Sequence, residues 1–161
     1  HAGSAVHAVD AEGLLLASGE RVPARQVVFV TGAAAAPMYR RPGLQTDDRG
    51  FVAVDAALQS LSHAGVFASG DAATVIPHPR PKSGVHAVRQ GPPLAGNLRR
   101  VLAGNPPLAF VPQRKTLSLL STGRRHAIAS RGGLTLAGDW VWRWKDRIDR
   151  RFVERFAAPV R

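Results

Sequence analysis

A carboxylate next to a glycine, at the end of a short apolar run, is the clearest chemical signal in this chain. Gly65-Val66-Phe67-Ala68 leads directly into Ser69-Gly70-Asp71. If Val66–Ala68 is a buried strand of a parallel sheet, Asp71 lies beyond its carboxyl end, where such sheets bind ligands. Its oxygens can then accept hydrogen bonds from ligand hydroxyls. The same residues also suit an ordinary tight turn, with glycine supplying backbone freedom and aspartate capping nearby amides. Both readings depend on the elements that hold the turn.

Several short strands are expected before it. Ala5–Val9 is a mostly apolar run, and Gly13–Ala17 and Glu20–Val22 flank Ser18-Gly19, a hairpin turn. Gln26–Thr31 is continuously apolar and β-branched apart from its first residue, which predicts a strand covered on both faces. Phe51–Asp55 predicts another. Residues 77–83 contain Pro77, Pro79 and Pro81 and must form a loop. Ser83 can then cap a helix from about Gly84 to Ala103, with Val85, Val88, Leu94, Ala95, Leu98 and Leu102 as its apolar face. Gly91-Pro92-Pro93 is expected to break or kink it. Beyond Asn105-Pro106-Pro107, the runs 116–120, 127–129 and 134–136 alternate with glycine turns and predict a three-stranded antiparallel meander. A helix from Trp140 to about Phe156 follows. Its apolar stripe is Val141, Trp144, Ile148, Phe152 and Phe156, with Arg143, Arg147, Arg150 and Glu154 on the opposite side.

Composition narrows the classes. The 161 residues include no cysteine, which excludes disulfides, zinc-thiolate sites and a redox dithiol within the chain. No apolar run approaches the roughly 20 residues of a spanning helix, and the N-terminus has no secretory signal. A cytoplasmic location is expected, at most peripheral to a membrane. The net charge is +11, and 12 of the 22 Lys and Arg residues lie in residues 114–161 against 4 of the 11 Asp and Glu. A basic C-terminal third suits contact with a partner subunit, an anionic membrane or nucleic acid, or is simply a solvated surface. Nucleic acid is not expected, because the aromatic residues gather on one helix rather than over a platform.

The order of these motifs resembles the pyridine nucleotide-disulfide oxidoreductase family. The resemblance rests on Val28–Ala34, Gly50–Asp55, the Gly65–Ala73 segment and Arg80–Gly91. The tail segments Leu117–Gly123, Ala127–Gly132 and Gly138–Asp146 look like the third domain of type II NADH dehydrogenases and sulfide:quinone reductases. They look most like the subgroup linked to selenide, water dikinase. By that likeness the fold is α/β: the C-terminal part of a flavoprotein with two dinucleotide-binding domains, followed by a small α+β domain. Residues 1–45 would end the NAD(P)H-binding domain, 46–104 would close the FAD-binding domain, and 105–161 would form the α+β interface domain.

The resemblance also implies site residues. Asp71 would bind the ribityl chain of FAD, and Gly70 would let the backbone approach it. The amides of Gly84 and Val85, following Ser83, would face the electron-rich edge of the flavin, where a helix N-terminus carries about half a positive charge. Lys82 could add a full charge or be an exposed loop residue. His86 reads as structural. Thr31 and Gly32 would mark the domain crossover near the dinucleotides, although a strand end explains them as well. No catalytic residue and no metal ligand is assigned.

One departure bears on function. None of the 16 glycines forms Gly-x-Gly, so the phosphate-cradling turn of a dinucleotide fold is absent from these residues. Together with the start at His1, this implies a fragment of a longer enzyme, inactive by itself. The full enzyme would carry electrons from NAD(P)H through FAD to an acceptor that is a quinone, a sulfur or selenium species, or a protein. Homo-oligomerisation is open. The terminal helix is expected to pack on the meander with an exposed basic face, whereas the family resemblance would place it near a quinone or membrane surface. The competing reading is a basic interaction module.

Overall fold

The computed structural model describes residues 2–40 and 43–157; Pro42-Gly43 also reads as a turn in the sequence, and Pro42 lies outside the described residues. The chain divides into two compact units, one ending at Ala34 and the other beginning at Ala35.

In the first unit, strands β1 (Val6–Asp10), β2 (Gly13–Leu16) and β3 (Arg21–Pro23) form an antiparallel sheet in that order. The turn between β1 and β2 is held by the Asp10 carboxylate, which accepts the Glu12 amide and pairs with Arg21 at 2.8 Å. Gly13 is required there. It has φ +138°, and a β-carbon would lie 2.3 Å from the Val22 carbonyl oxygen. Ser18-Gly19 makes the second turn, as expected. The expected strand at Gln26–Thr31 does not form. Val28 and Val30 are 85% and 91% exposed and pair with no neighbouring strand. A run suited to burial on both faces needs a strand beside it and a layer over it, and the described residues of this unit supply neither.

In the second unit, β4 (Val52–Val54) and β5 (Ala73–Val75) pair in parallel, with Val52 opposite Ala73 and Val54 opposite Val75. Val52, Val54, Leu58, Ala73 and Val75 form the core, and Tyr39, Leu44, Ala68 and Leu94 pack around it. The expected strand at Val66–Ala68 is only an isolated bridge, from Phe67 to Gln59, and Val66 is exposed. The paired strand lies beyond Asp71, so the glycine–aspartate turn precedes β5 rather than ending a strand. Pairing with β4 decides this, and β4 is distant in sequence.

Helix α1 spans Gly84–Leu102 without interruption, so Pro92 and Pro93 do not break it. Its buried residues are Gln90 and Asn97, with Leu94 against the core between them. That face has the spacing i, i+4, i+7 of one helical side. Of the expected apolar face, Leu94 packs on the core, whereas Val85, Val88, Leu98 and Leu102 are exposed. Asn97 sets which side is buried. Its amide nitrogen donates to the carbonyls of Ala57 and Leu108, each at 2.9 Å, and its oxygen accepts the Leu108 amide at 2.8 Å. A buried carboxamide satisfied at both ends anchors α1 to the loop after β4 and to the segment leading into the meander.

The meander forms as expected from β6 (Ser118–Gly123), β7 (His126–Arg131) and β8 (Leu134–Gly138). Each connection has two residues with positive φ, Arg124-Arg125 and Gly132-Gly133, as the twist of a two-residue hairpin demands. Helix α2 (Asp139–Ala157) packs its first turn on this sheet, where Val141 is fully buried with Ala127 and Ala129. The remainder of its stripe, from Trp144 through Phe156, is not covered by the sheet. Among the described residues, no helix is long and apolar enough to cross a membrane.

Candidate functional site

The site begins with Gly70, Asp71 and Ala72, a single 3-10 turn between the core-packed Ala68 and β5. Gly70 has φ +62°, a left-handed conformation that favours glycine. A β-carbon there would also stand 3.2 Å from the Ala87 β-carbon on α1, so turn and helix approach closely. The Gly70 amide donates to Gln90 Oε1 at 2.6 Å. Gln90 was not singled out from sequence, because a glutamine on a helix usually faces water. Its spacing from Leu94 and Asn97 was the available signal.

Asp71 is exposed and makes no side-chain hydrogen bond among the described residues, so its carboxylate is free to accept one. Ser83 precedes α1 in extended conformation without a side-chain cap. Its carbonyl accepts the His86 and Ala87 amides. The amides of Gly84 and Val85 belong to the first turn, which has no intrahelical acceptors, and both residues are exposed.

Lys82 is neither an exposed loop residue nor free. Its ammonium donates to the Ala73 carbonyl and, at 3.0 Å, to Thr74 Oγ1, and it stands 4.0 Å from the centre of the buried Phe51 ring. Thr74 in turn donates to Asp47 Oδ2 at 2.6 Å. Burial pushes the Lys82 ammonium below its usual range, against the charges of Asp47 and Asp71, and Arg49 pushes the same way as burial. Burial, then the charges of Arg80 and Arg89, hold the His86 imidazole below its ordinary value. Arg80 ties the proline-rich loop to the carbonyls of Pro112 and Gln113.

Of the residues expected from sequence, the structure gathers Gly70, Asp71, Lys82 and Ser83 around one small cavity, of about 10 Å³. Gly84 and Val85 lie at the adjoining helix start and line a different opening. Thr31 and Gly32 belong to the first unit, exposed and outside any strand.

That second opening is a groove of about 590 Å³ between α1, β6 and α2. Val85 and Val88 form one wall, Leu117 and Leu119 the floor, and Ile148 and Phe152 the other wall. The outward apolar side of α1 and the uncovered stripe of α2 therefore face a shared space. Lys145 and Asp149 also line this groove and pair with each other, and on the other side of α2 Arg150 pairs with Asp146.

The Asp71 carboxylate, which has no side-chain partner among the described residues, thus follows a left-handed glycine turn tied to α1, and the first amides of that helix are exposed. Residues 1–91 match the pyridine nucleotide-disulphide oxidoreductase family, more than half of the chain, and the chain belongs to that family.

Proposed function

We propose that this chain is the C-terminal part of an FAD-dependent oxidoreductase that passes electrons from NAD(P)H through flavin to an apolar acceptor. The type of enzyme is that of the type II NADH dehydrogenases and sulfide:quinone reductases, nearest the subgroup linked to selenide, water dikinase. One observation carries the reading: the free Asp71 carboxylate follows a glycine packed against α1, whose first amides are exposed.

The residues fit one end of FAD and not the other. Asp71 suits the ribityl hydroxyls, and the Gly84 and Val85 amides suit the oxygen-rich edge of the ring, since a helix N-terminus favours negative charge. The cavity beside Lys82 holds one water at most and is not a seat for a ring system. No residue of this chain forms a Gly-x-Gly turn to cradle the pyrophosphate. Binding therefore needs contacts from elsewhere in the enzyme, and the 161 residues alone should retain no FAD and oxidise no NAD(P)H.

FAD, when bound, supplies the two-electron chemistry between nicotinamide and acceptor. The chain's own residues bind and orient. Asp71 would accept hydroxyl hydrogen bonds, Gly70 would admit the close approach, and the amides at the start of α1 would favour negative charge on the ring. Gly84 and Val85 also line the mostly apolar groove, so the helix start would be a wall common to cofactor and groove. That adjacency supports a quinone over a small sulfur or selenium species or a protein as acceptor.

The test is direct. Full-length protein should show flavin absorbance that NAD(P)H bleaches and a short-chain quinone restores. Val88→Asp should raise the KM for quinone and leave bleaching by NAD(P)H intact. A colourless full-length protein overturns the flavin reading. Equal quinone kinetics in Val88→Asp overturns the groove assignment.

A further inference from the structure

The two halves of the candidate site come from separate elements, and three polar side chains, those of Lys82, Thr74 and Asp47, tie them together. Ala73 directly follows the Gly70–Ala72 turn, and Lys82 directly precedes the Ser83 that opens α1. The Lys82 ammonium bonds the Ala73 carbonyl and thus joins the end of one half to the beginning of the other. Its second bond is to Thr74 Oγ1 at 3.0 Å, and its charge lies over the Phe51 ring. An ammonium can only donate and a carboxylate can only accept, so the Thr74 hydroxyl has one orientation: it accepts from Lys82 and donates to Asp47. Asp47 is held in turn by the amides of Phe51 and Arg49, at 2.9 and 3.0 Å. The chain of bonds is thus directional and ends on backbone.

We propose that Lys82 is a positioning residue and not a ligand: with Thr74 and Asp47 it forms a clamp that fixes the Asp71 carboxylate relative to the start of α1. This deepens the flavin reading and rests on it. Neither Thr74 nor Asp47 needs to touch the cofactor, yet both should govern how tightly it is held. Asp47 and Asp71 favour the charged form of Lys82, while Arg49 and burial oppose it. Removing the Asp47 charge therefore makes Lys82 lose its proton at lower pH, and the clamp opens there.

The experiment is equilibrium FAD retention by the full-length protein, measured against pH. Thr74→Val, which removes the hydroxyl at nearly constant shape, should weaken FAD about tenfold, the scale of one hydrogen bond to a charged group. Thr74→Ser, which keeps the hydroxyl, should retain FAD like the parent. In a Lys82→Met background, Thr74→Val should add less than about twofold, because members of one network do not contribute independently. Retention should fall as alkaline pH deprotonates Lys82, and Asp47→Asn should move that fall to lower pH. Parent-like retention in Thr74→Val, or an unmoved pH profile in Asp47→Asn, overturns the clamp while leaving the flavin reading intact. A loss in Lys82→Met a hundredfold beyond that in Thr74→Val makes Lys82 a direct ligand and also overturns it. A parent protein that binds no FAD at all overturns both. Should Thr74→Val fail to fold, the pH shift in Asp47→Asn decides the matter.

Discussion

The amide of Gly70 donates to the side-chain oxygen of Gln90 at 2.6 Å, across twenty residues of chain. This bond holds the left-handed turn before Asp71 against the middle of the first turns of α1. Gln90→Leu removes the acceptor and leaves a partly buried amide unpaired, which should cost about 1–3 kcal/mol of unfolding free energy. Gln90→Glu retains an acceptor in the same place and should cost less. Urea unfolding of the two variants side by side checks the order.

Asp71 and Gly70 should separate binding from stability. Asp71 is exposed and without a hydrogen-bond partner, so Asp71→Ala should leave the unfolding midpoint unchanged. In the full-length enzyme it should weaken flavin retention by about 1–3 kcal/mol, through loss of charge-assisted hydrogen bonds. Gly70→Ala should lower both. The left-handed backbone costs a side chain about 1–2 kcal/mol, and the added methyl would stand 3.2 Å from the Ala87 β-carbon. Equilibrium dialysis of FAD alongside thermal melts distinguishes the two substitutions.

Asn97 should be the most sensitive residue of α1. Its carboxamide makes three hydrogen bonds, to Ala57 and to both backbone groups of Leu108, and it is buried. Asn97→Ala should destabilise by about 2–4 kcal/mol, because buried backbone groups lose their partners. Leu98→Ala, one position further on and about 40% exposed, should cost less, and the comparison of denaturation midpoints tests whether the polar side of this helix is the anchoring one.

Acid should act through Asp47. Burial alone would raise its carboxyl, but the Thr74 hydroxyl, the Phe51 and Arg49 amides and the Lys82 charge outweigh it and hold it below the ordinary value of 3.8. A carboxyl with a depressed folded value contributes stability that is present above its unfolded value and lost as pH falls through the folded one. Melting temperature should therefore drop on the acid side of about pH 4, and Asp47→Asn should flatten that part of the profile. An unchanged acid limb in the variant would assign the effect to other carboxylates.

Local chemistry made the C-terminal half legible. Two-residue turns at Arg124-Arg125 and Gly132-Gly133 set the meander, and its strands pair with their sequence neighbours, so pattern alone located them. The Gln26–Thr31 and Val66–Ala68 runs were misleading for the opposite reason. Whether an apolar run becomes a strand depends on a partner elsewhere, and the partner of β4 turned out to be Ala73–Val75. The Asp71 turn and the start of α1 were visible as turn and cap signals. Gln90, Thr74 and Asp47 were not, because each matters through a contact distant in sequence. Of the apolar face read for α1, Leu94 packs on the core while Val85, Val88, Leu98 and Leu102 do not, since Gln90 and Asn97 complete the buried side and carry no hydrophobic signature.

The proline pair in α1 divides a helix that looks continuous. Pro92 and Pro93 carry no amide hydrogen, so the carbonyls of Val88 and Arg89 receive no donor from the next turn, and two consecutive rungs of the ladder are missing. Propagation of helical order across that gap is weakened. The stretch from Gly84 to Gly91 is secured by Gln90 and by the Lys82 loop, while the stretch beyond it is secured by Leu94 and Asn97. The helix should thus behave as two cooperative units joined end to end, the first able to unravel while the second persists. Occupancy of the site would then be coupled to local order: a ligand against Gly84 and Val85 stabilises only the first unit, and amide exchange there would report binding that the rest of the helix does not register.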